Sequence, residues 1–262
     1  MKRWRLCGNE ISGAVNRMNF SKVHVNGNDF VIVEGRPDRL NEETAKSIAN
    51  RRRGVGCDQV LLVQRPSSEI TSSVDSDSYG ITIFNCDGSI AKMCGNGICA
   101  VAFCVTELGV GSKRQDTNIT VSVCGTRYKV KVHGASVTAE FPSPELHEDG
   151  VISTGNKHVI MPMERLSEAA SISRMYNECN IHFVSVVRDG EIRLKTFERG
   201  VGWTSACGSG AVASVFATIK KGMVKVTHTG GVSFVNALDD CVTLTVQPKV
   251  TFRGVWYESN IS

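Results

Sequence analysis

Residues 93–103 read Met-Cys-Gly-Asn-Gly-Ile-Cys-Ala-Val-Ala-Phe, and residues 206–216 read Ala-Cys-Gly-Ser-Gly-Ala-Val-Ala-Ser-Val-Phe. Each stretch sets a cysteine, Cys94 or Cys207, directly before a Gly-X-Gly element, and each continues as a run of small apolar residues. Such a run predicts a buried helix that begins just after Cys-Gly. One copy would be an ordinary helix start with a buried thiol. Two copies, one in each half of the chain, point to a matched pair.

The flanking sequence follows the same grammar in both halves. Met18–Gly35 predicts a strand from near Asn19, a turn at Gly27-Asn28 and a second strand at Phe30–Val33. Asn41–Gly54 predicts a helix with Asn41 as N-cap, acids in its first turn, Arg51–Arg53 in its last and Gly54 at its end. Strands follow at 58–66 and 79–89, the latter closing on Asp87-Gly88, then a helix over 98–108 stopped by Gly109. Residues 118–141 predict a hairpin and a further strand. The second half predicts a hairpin at 180–200 turning on Asp189-Gly190. It also predicts a helix at 210–222 with Lys220 and Lys221 in its last turn and Gly222 as its stop, and closing strands over 231–257. The reading is two similar α+β halves facing each other, with the cysteines at the cleft between them. Residues 1–16 stand apart as an extension, and Met18 is a candidate start.

Composition narrows the class. The 262 residues are 41% hydrophobic and 21% charged, with a net charge of +4. No apolar run approaches the roughly 20 residues of a membrane-spanning helix, and the basic leader lacks the apolar core of a secretory signal. The one tight basic run, Arg51–Arg53, has no aromatic platform beside it, so nucleic acid is not an expected partner. Ten cysteines without a CxxC pair argue against a structural zinc site and against a secreted disulfide framework. Reduced thiols in a cytoplasm, most of them small buried hydrophobes, are the economical expectation.

The first turn of a helix carries unpaired N–H groups and partial positive charge, so a thiolate there is expected to form more readily than a free thiol. The same N–H groups can hold a carboxylate. Two thiols around one anion site suit a racemase in which one thiolate removes the Cα proton and the other thiol protonates the opposite face. A dithiol redox protein is the rival, but its usual CxxC spacing is absent. A phosphate-binding module is a third reading, but GKS, GKT and GxGxxG elements are absent.

The motifs FSKVHVNGNDFVIV, RRRGVGCDQVLLV, FNCDGSIAKMCGNGICA, STGNKH, NIHFV and FERGVGWTSACGSGAVAS run in this order from Phe20 to Ser214. Together they resemble the diaminopimelate epimerase family. The paired cysteine motifs alone would also fit proline and other amino-acid racemases of the wider superfamily. The resemblance implies two pseudo-symmetric halves, each a strongly curved β-sheet wrapped around a central helix, with the active site in the cleft. It implies cofactor-free interconversion of LL- and meso-diaminopimelate, on the route to lysine and peptidoglycan, in a cytoplasmic homodimer without metal. Cys94 and Cys207 are then the catalytic bases. Asn28, Gln59, Asn85, Asn156, Asn180, Glu198 and Arg199 match the family's substrate-binding positions, with Gly95-Asn96 and Gly208-Ser209 holding the reacting carboxylate. Glu198 can offset an ammonium, and Arg199 can fork a second carboxylate from a buried position. His158 stands beside Asn156 either as a tuning residue or as a structural one, and Trp203 reads as packing near the site. The expected units are an extension at 1–16 without fixed structure, an N-terminal half at 17–133 joined by the tail 251–262, and a C-terminal half at 134–250. Two departures from the family pattern lie in loops beside the site. Val25-Asn26-Gly27 stands where Gly-Leu-Gly is usual, and Lys157 stands where proline is usual.

Overall fold

The computed structural model describes residues 16–35, 38, 40–65, 77–107, 116–219 and 221–258. The helix stop expected at Gly109, Lys220 and the extension before Asn16 lie outside the described residues.

Strands β1 (Asn16–Val25) and β2 (Asn28–Glu34) form a hairpin over Asn26-Gly27. Both turn residues have positive φ, 51° and 86°, which Asn-Gly tolerates. The turn therefore sits one residue earlier than expected, and Asn28 opens a strand. The first strand likewise begins at Asn16, where it pairs with Glu258, and not near Asn19. Helix α1 (Glu42–Ala49) crosses to β3 (Gln59–Gln64), which lies parallel to β2. Antiparallel β4 (Ser78–Asn85) and short β5 (Ile90–Ala91) follow. Helix α2 (Gly95–Glu107) leads to β6 (Asp116–Val123), parallel to β4, and β7 (Thr126–His133) and β8 (Ser136–Pro142) continue antiparallel.

The second half repeats this order. Strand β10 (Ile152–Ser153) lies between β9 (Glu145–Leu146) and β11 (Lys157–Pro162). A 3-10 turn (Met163–Glu168) and helix α3 (Ala169–Met175) cross to β12 (Asn180–Arg188), parallel to β11. Strands β13 (Glu191–Glu198) and β14 (Gly202–Thr204) run antiparallel. Helix α4 (Gly208–Thr218) leads to β15 (Gly222–Thr227), parallel to β13, then to β16 (Val232–Ala237) and β17 (Cys241–Val246). Strand β18 (Lys249–Glu258) returns to pair with β1, as β9 pairs with β10. Strands β8 and β17 pair with each other and join the halves into one continuous sheet of 18 strands among the described residues.

Each half curls its sheet around its own apolar helix. Residues Gly95–Ala102 of α2 and Gly208–Val215 of α4 are all buried. A helix that is apolar all round has nowhere to sit but a core. The wrapping strands alternate: Tyr128, Val130 and Val132 of β7 face inward, while Arg127, Lys129 and Lys131 face solvent. Strands β2 and β3 are covered on both faces, because α1 packs Ala45 and Ile48 on Val31, Val60 and Leu62 from outside. Their sequences are correspondingly unbroken apolar runs. Helix α3 covers Ile181 and Phe183 in the same way in the second half.

Three helices differ from expectation at their ends. Asn41 caps α1 by accepting from the Thr44 N–H, but the helix stops at Ala49 and Arg51–Arg53 lie in the turns beyond it. Helix α2 starts at Gly95, three residues before the expected Ile98. Helix α4 ends at Thr218, so Lys221 lies outside it and pairs with Asp239, and Gly222 opens β15. Among the described residues no helix is long and apolar enough to cross a membrane.

Candidate active site

Both conspicuous cysteines occupy the same local geometry. Each thiol accepts a hydrogen bond from the backbone N–H three residues on: Gly97 to Cys94 Sγ at 3.3 Å, and Gly210 to Cys207 Sγ at 3.4 Å. Sulfur thus caps each helix in the place usually taken by serine or asparagine oxygen. The Ser209 hydroxyl lies a further 3.5 Å from Cys207 Sγ.

The two helix starts abut. A methyl group at Gly95 would lie 3.3 Å from the Ser209 nitrogen, and one at Gly208 would lie 2.7 Å from Asn96 Oδ1 and 3.1 Å from its nitrogen. The glycines therefore let two backbones approach where any side chain would intrude. Two helix N-termini facing each other carry like partial charge, an arrangement an anion between them would relieve.

Burial, not the helix ends, dominates thiol acidity. It pushes Cys94 up to about 12 against the opposing Gly97 N–H, and it raises Cys207 too, helped by the nearby Glu198 carboxyl. Burial thus opposes the readily formed thiolates expected from the helix ends. Desolvation costs the buried anion more than two N–H groups return. Burial also pushes Glu198 up to about 7, opposed by the Thr204 hydroxyl, which donates to Oε1 at 2.6 Å.

The polar residues expected around the site form short hydrogen-bonded rails, two of which, through Asn28 and Asn156, reach the Cys94 turn. Asp58 accepts from the Asn28 amide at 3.0 Å, and Asn28 Oδ1 accepts from the buried Asn96 at 3.3 Å. The Gln59 amide donates to Asn85 Oδ1 at 3.0 Å, and Asn85 donates to Ser89 Oγ. The Asn156 amide donates to the Met93 carbonyl at 3.2 Å, next to Cys94. Asn180 Oδ1 accepts the Arg199 backbone N–H at 3.0 Å. The Arg199 side chain is exposed, not buried as expected, because residue 199 begins the turn after β13. A cavity of about 510 Å³ opens there, lined by Arg174, Phe197, Glu198, Arg199 and Gly202 among others, and neither thiol lines it. His158 is fully buried and spends both ring nitrogens on Thr154 and His182, at 2.9 Å each. Trp203 is 52% exposed and packs its ring 5.3 Å from Phe197 and 5.9 Å from Phe183.

Sequence reasoning missed the supports. Lys22, Asp29, Arg51 and Asp58 form a charge cluster behind Asn28. Burial draws the Asp29 carboxyl upward, but Arg51 and Lys22 outweigh it and hold it below the usual carboxylate range. The acids flank expected site residues, in Asn28-Asp29 and Asp58-Gln59, which was the available signal. His182 was missed also, and lay in plain view in NIHFV. All nine cysteines among the described residues are free. Five of these nine are buried, in line with the expectation for most of them, whereas Cys94 and Cys241 are half-buried and Cys86 and Cys124 are exposed. Among the described residues no group of three or more His, Cys, Asp or Glu side chains is arranged to hold a metal ion.

Paired thiol-capped helices at the junction of two pseudo-symmetric halves define the class, an amino-acid racemase and epimerase type of fold. A hydroxyproline epimerase from Agrobacterium vitis shares it, with a TM-score of 0.69 and 16% identity over 94% of each chain. Residues 20–141 and 150–240 match the family model for diaminopimelate epimerase, and the chain belongs to that family. It is 34% identical over 244 residues to the diaminopimelate epimerase of Thioalkalivibrio sulfidiphilus, covering 80% of this chain and 86% of that one. It is 33% identical to that of Halorhodospira halophila, covering 90% and 94%.

Proposed function

We propose that this protein interconverts LL- and meso-diaminopimelate, with Cys94 and Cys207 as the two proton carriers. One observation carries the reading: two thiols, each capping a helix, stand at abutting N-termini that favour an anion between them. A substrate α-carboxylate fits that position, taking the N–H groups of Asn96 and Ser209 and their neighbours. The α-ammonium brings positive charge into the cleft beside Glu198, which lowers the cost of ionising a thiol. One thiolate then takes the Cα proton, electron density moves into the bound carboxylate, and the opposite thiol returns a proton to the other face. In this reading Arg199, exposed in its turn at the rim, closes on the distal carboxylate when substrate binds. The reading expects no cofactor, and a homodimer in the cytoplasm.

The test is turnover of LL-diaminopimelate in deuterated water, beside a panel of amino acids with one head group. Deuterium should enter Cα of diaminopimelate alone. Exchange into proline or its hydroxylated relatives instead would favour a different racemase of the same fold. Cys94→Ala and Cys207→Ala should each lose at least about a hundredfold in kcat. Near-normal turnover in either would sink the two-base scheme. Arg199→Lys should lose more than about tenfold in kcat/KM, roughly 1.4 kcal/mol, since a point charge does not replace the planar fork.

A further inference from the structure

Behind the thiols lies a hydrogen-bonded rail that the proton transfer does not itself use. It runs from Thr154 Oγ1 to His158 Nε2 at 2.9 Å, from His158 Nδ1 to His182 Nε2 at 2.9 Å, and from His182 Nδ1 to Thr196 Oγ1 at 3.1 Å. His158 and His182 are fully buried and Thr196 nearly so. Burial holds both rings neutral. Each ring then carries one N–H, so the tautomer of one dictates that of the other.

The rail meets both thiol-bearing turns, one at His182 and the other beyond its Thr154 end. The His182 ring lies flat under the first turn of α4, so close that a methyl group at Gly210 would sit 2.0 Å from its Cε1. Gly210 supplies the N–H that faces Cys207 Sγ. At the other end, the Thr154 N–H donates to the Asn156 carbonyl at 2.9 Å, and the Asn156 amide holds the Met93 carbonyl.

We propose that His182 is a positioning residue that couples the two thiol-bearing turns. Through Gly210 it sets the N–H aimed at Cys207, and through His158 it sets the loop that holds Met93 beside Cys94. This rests on the reading that the two cysteines act on substrate. The titratable groups that act on His182 are His158 on β11 and His228 beyond β15, and those that act on Cys207 are Glu198 on β13 and Cys94.

The experiment follows iodoacetamide alkylation of Cys207 and Cys94 against pH, read by peptide mass spectrometry on the full chain, beside kcat and KM. His182→Leu should raise the midpoint for Cys207 by at least about half a pH unit. It should also lower kcat at least about tenfold at little-changed KM. Thr196→Val removes only the far anchor and should act in the same direction with a smaller effect, so it decides the matter if His182→Leu does not fold. Unchanged midpoints and kcat within about twofold, whatever the melting temperature, would reduce His182 to packing and overturn the proposal. If the wild-type chain turns over no diaminopimelate, the proposed function fails, while the alkylation midpoints still report on the coupling.

Discussion

Cys94 and Cys207 are equivalent by pattern but not by surroundings, and the glycine two places beyond each Cys-Gly shows the difference. A methyl group at Gly97 would meet Cys94 Cβ at 3.3 Å and Leu61 Cδ1 at 3.4 Å, which is tight but adjustable. At Gly210 it would occupy the His182 ring. Alanine in a helix gains about 1 kcal/mol over glycine from backbone entropy, and overpacking costs about 1–3 kcal/mol or more. Gly97→Ala should therefore stay within about 1 kcal/mol of wild type in denaturant unfolding, whereas Gly210→Ala should lose about 2 kcal/mol or more. Equal costs at the two positions would mean that the His182 ring moves aside freely.

Element by element, the two halves use one plan, and the helices divide into two kinds. Helices α2 and α4 are held mainly by burial, with a thiol capping the start of each. Helix α1 lies on the outside with only Thr44, Ala45, Ile48 and Ala49 buried, and it leans on its cap. Asn41→Ala should cost about 1 kcal/mol of stability, the usual worth of a lost N-cap, while kcat changes little. A calorimetric scan with a parallel turnover assay separates the two. A matching loss of kcat would show that α1 transmits its position through β3 to Gln59.

Across the whole molecule, buried ionisable groups shape the response to pH. Burial holds His158 down at about 3 and His228 at about 4, and keeps His182 lowered as well. On unfolding, all three return to ordinary values near 6.5 and take up protons below that pH. Stability contributed by their neutral burial is therefore present above about pH 6.5 and is lost as pH falls. Glu198 works in the opposite direction, being protonated in the folded state up to about 7 and ionised in the unfolded chain above 4.5. Its contribution is present below 4.5 and is lost as pH rises through 7. Glu198→Gln removes that opposition. Between pH 4.5 and 6.5 the rise of unfolding free energy with pH should steepen by roughly 1.4 kcal/mol per pH unit. Denaturant titrations across that window measure it, and an unchanged slope would place Glu198 in contact with water.

Much of this was legible in one dimension. Helix starts at Cys94 and Cys207, the Asn41 cap, the alternating strands of β6 to β8 and the motif asparagines all depend on neighbours within a few residues, where local sterics and periodicity decide. The turn at Asn26-Gly27 was missed by one residue because either Asn-Gly or Gly-Asn satisfies the same local rule. What the chain alone could not disclose are quantities that arise only when distant segments meet. Thiol acidity is one: the helix end that favours a thiolate is read from the sequence, but the burial that opposes it comes from closing two halves. The exposure of Arg199 is another, since it depends on how β13 and β14 turn at the rim. The rail through His158 and His182 is a third, because residues 24 apart meet only when β11 and β12 pair in parallel. Local sequence determined which groups the protein carries. Tertiary packing decided how much water each one keeps, and with it the charge each can hold.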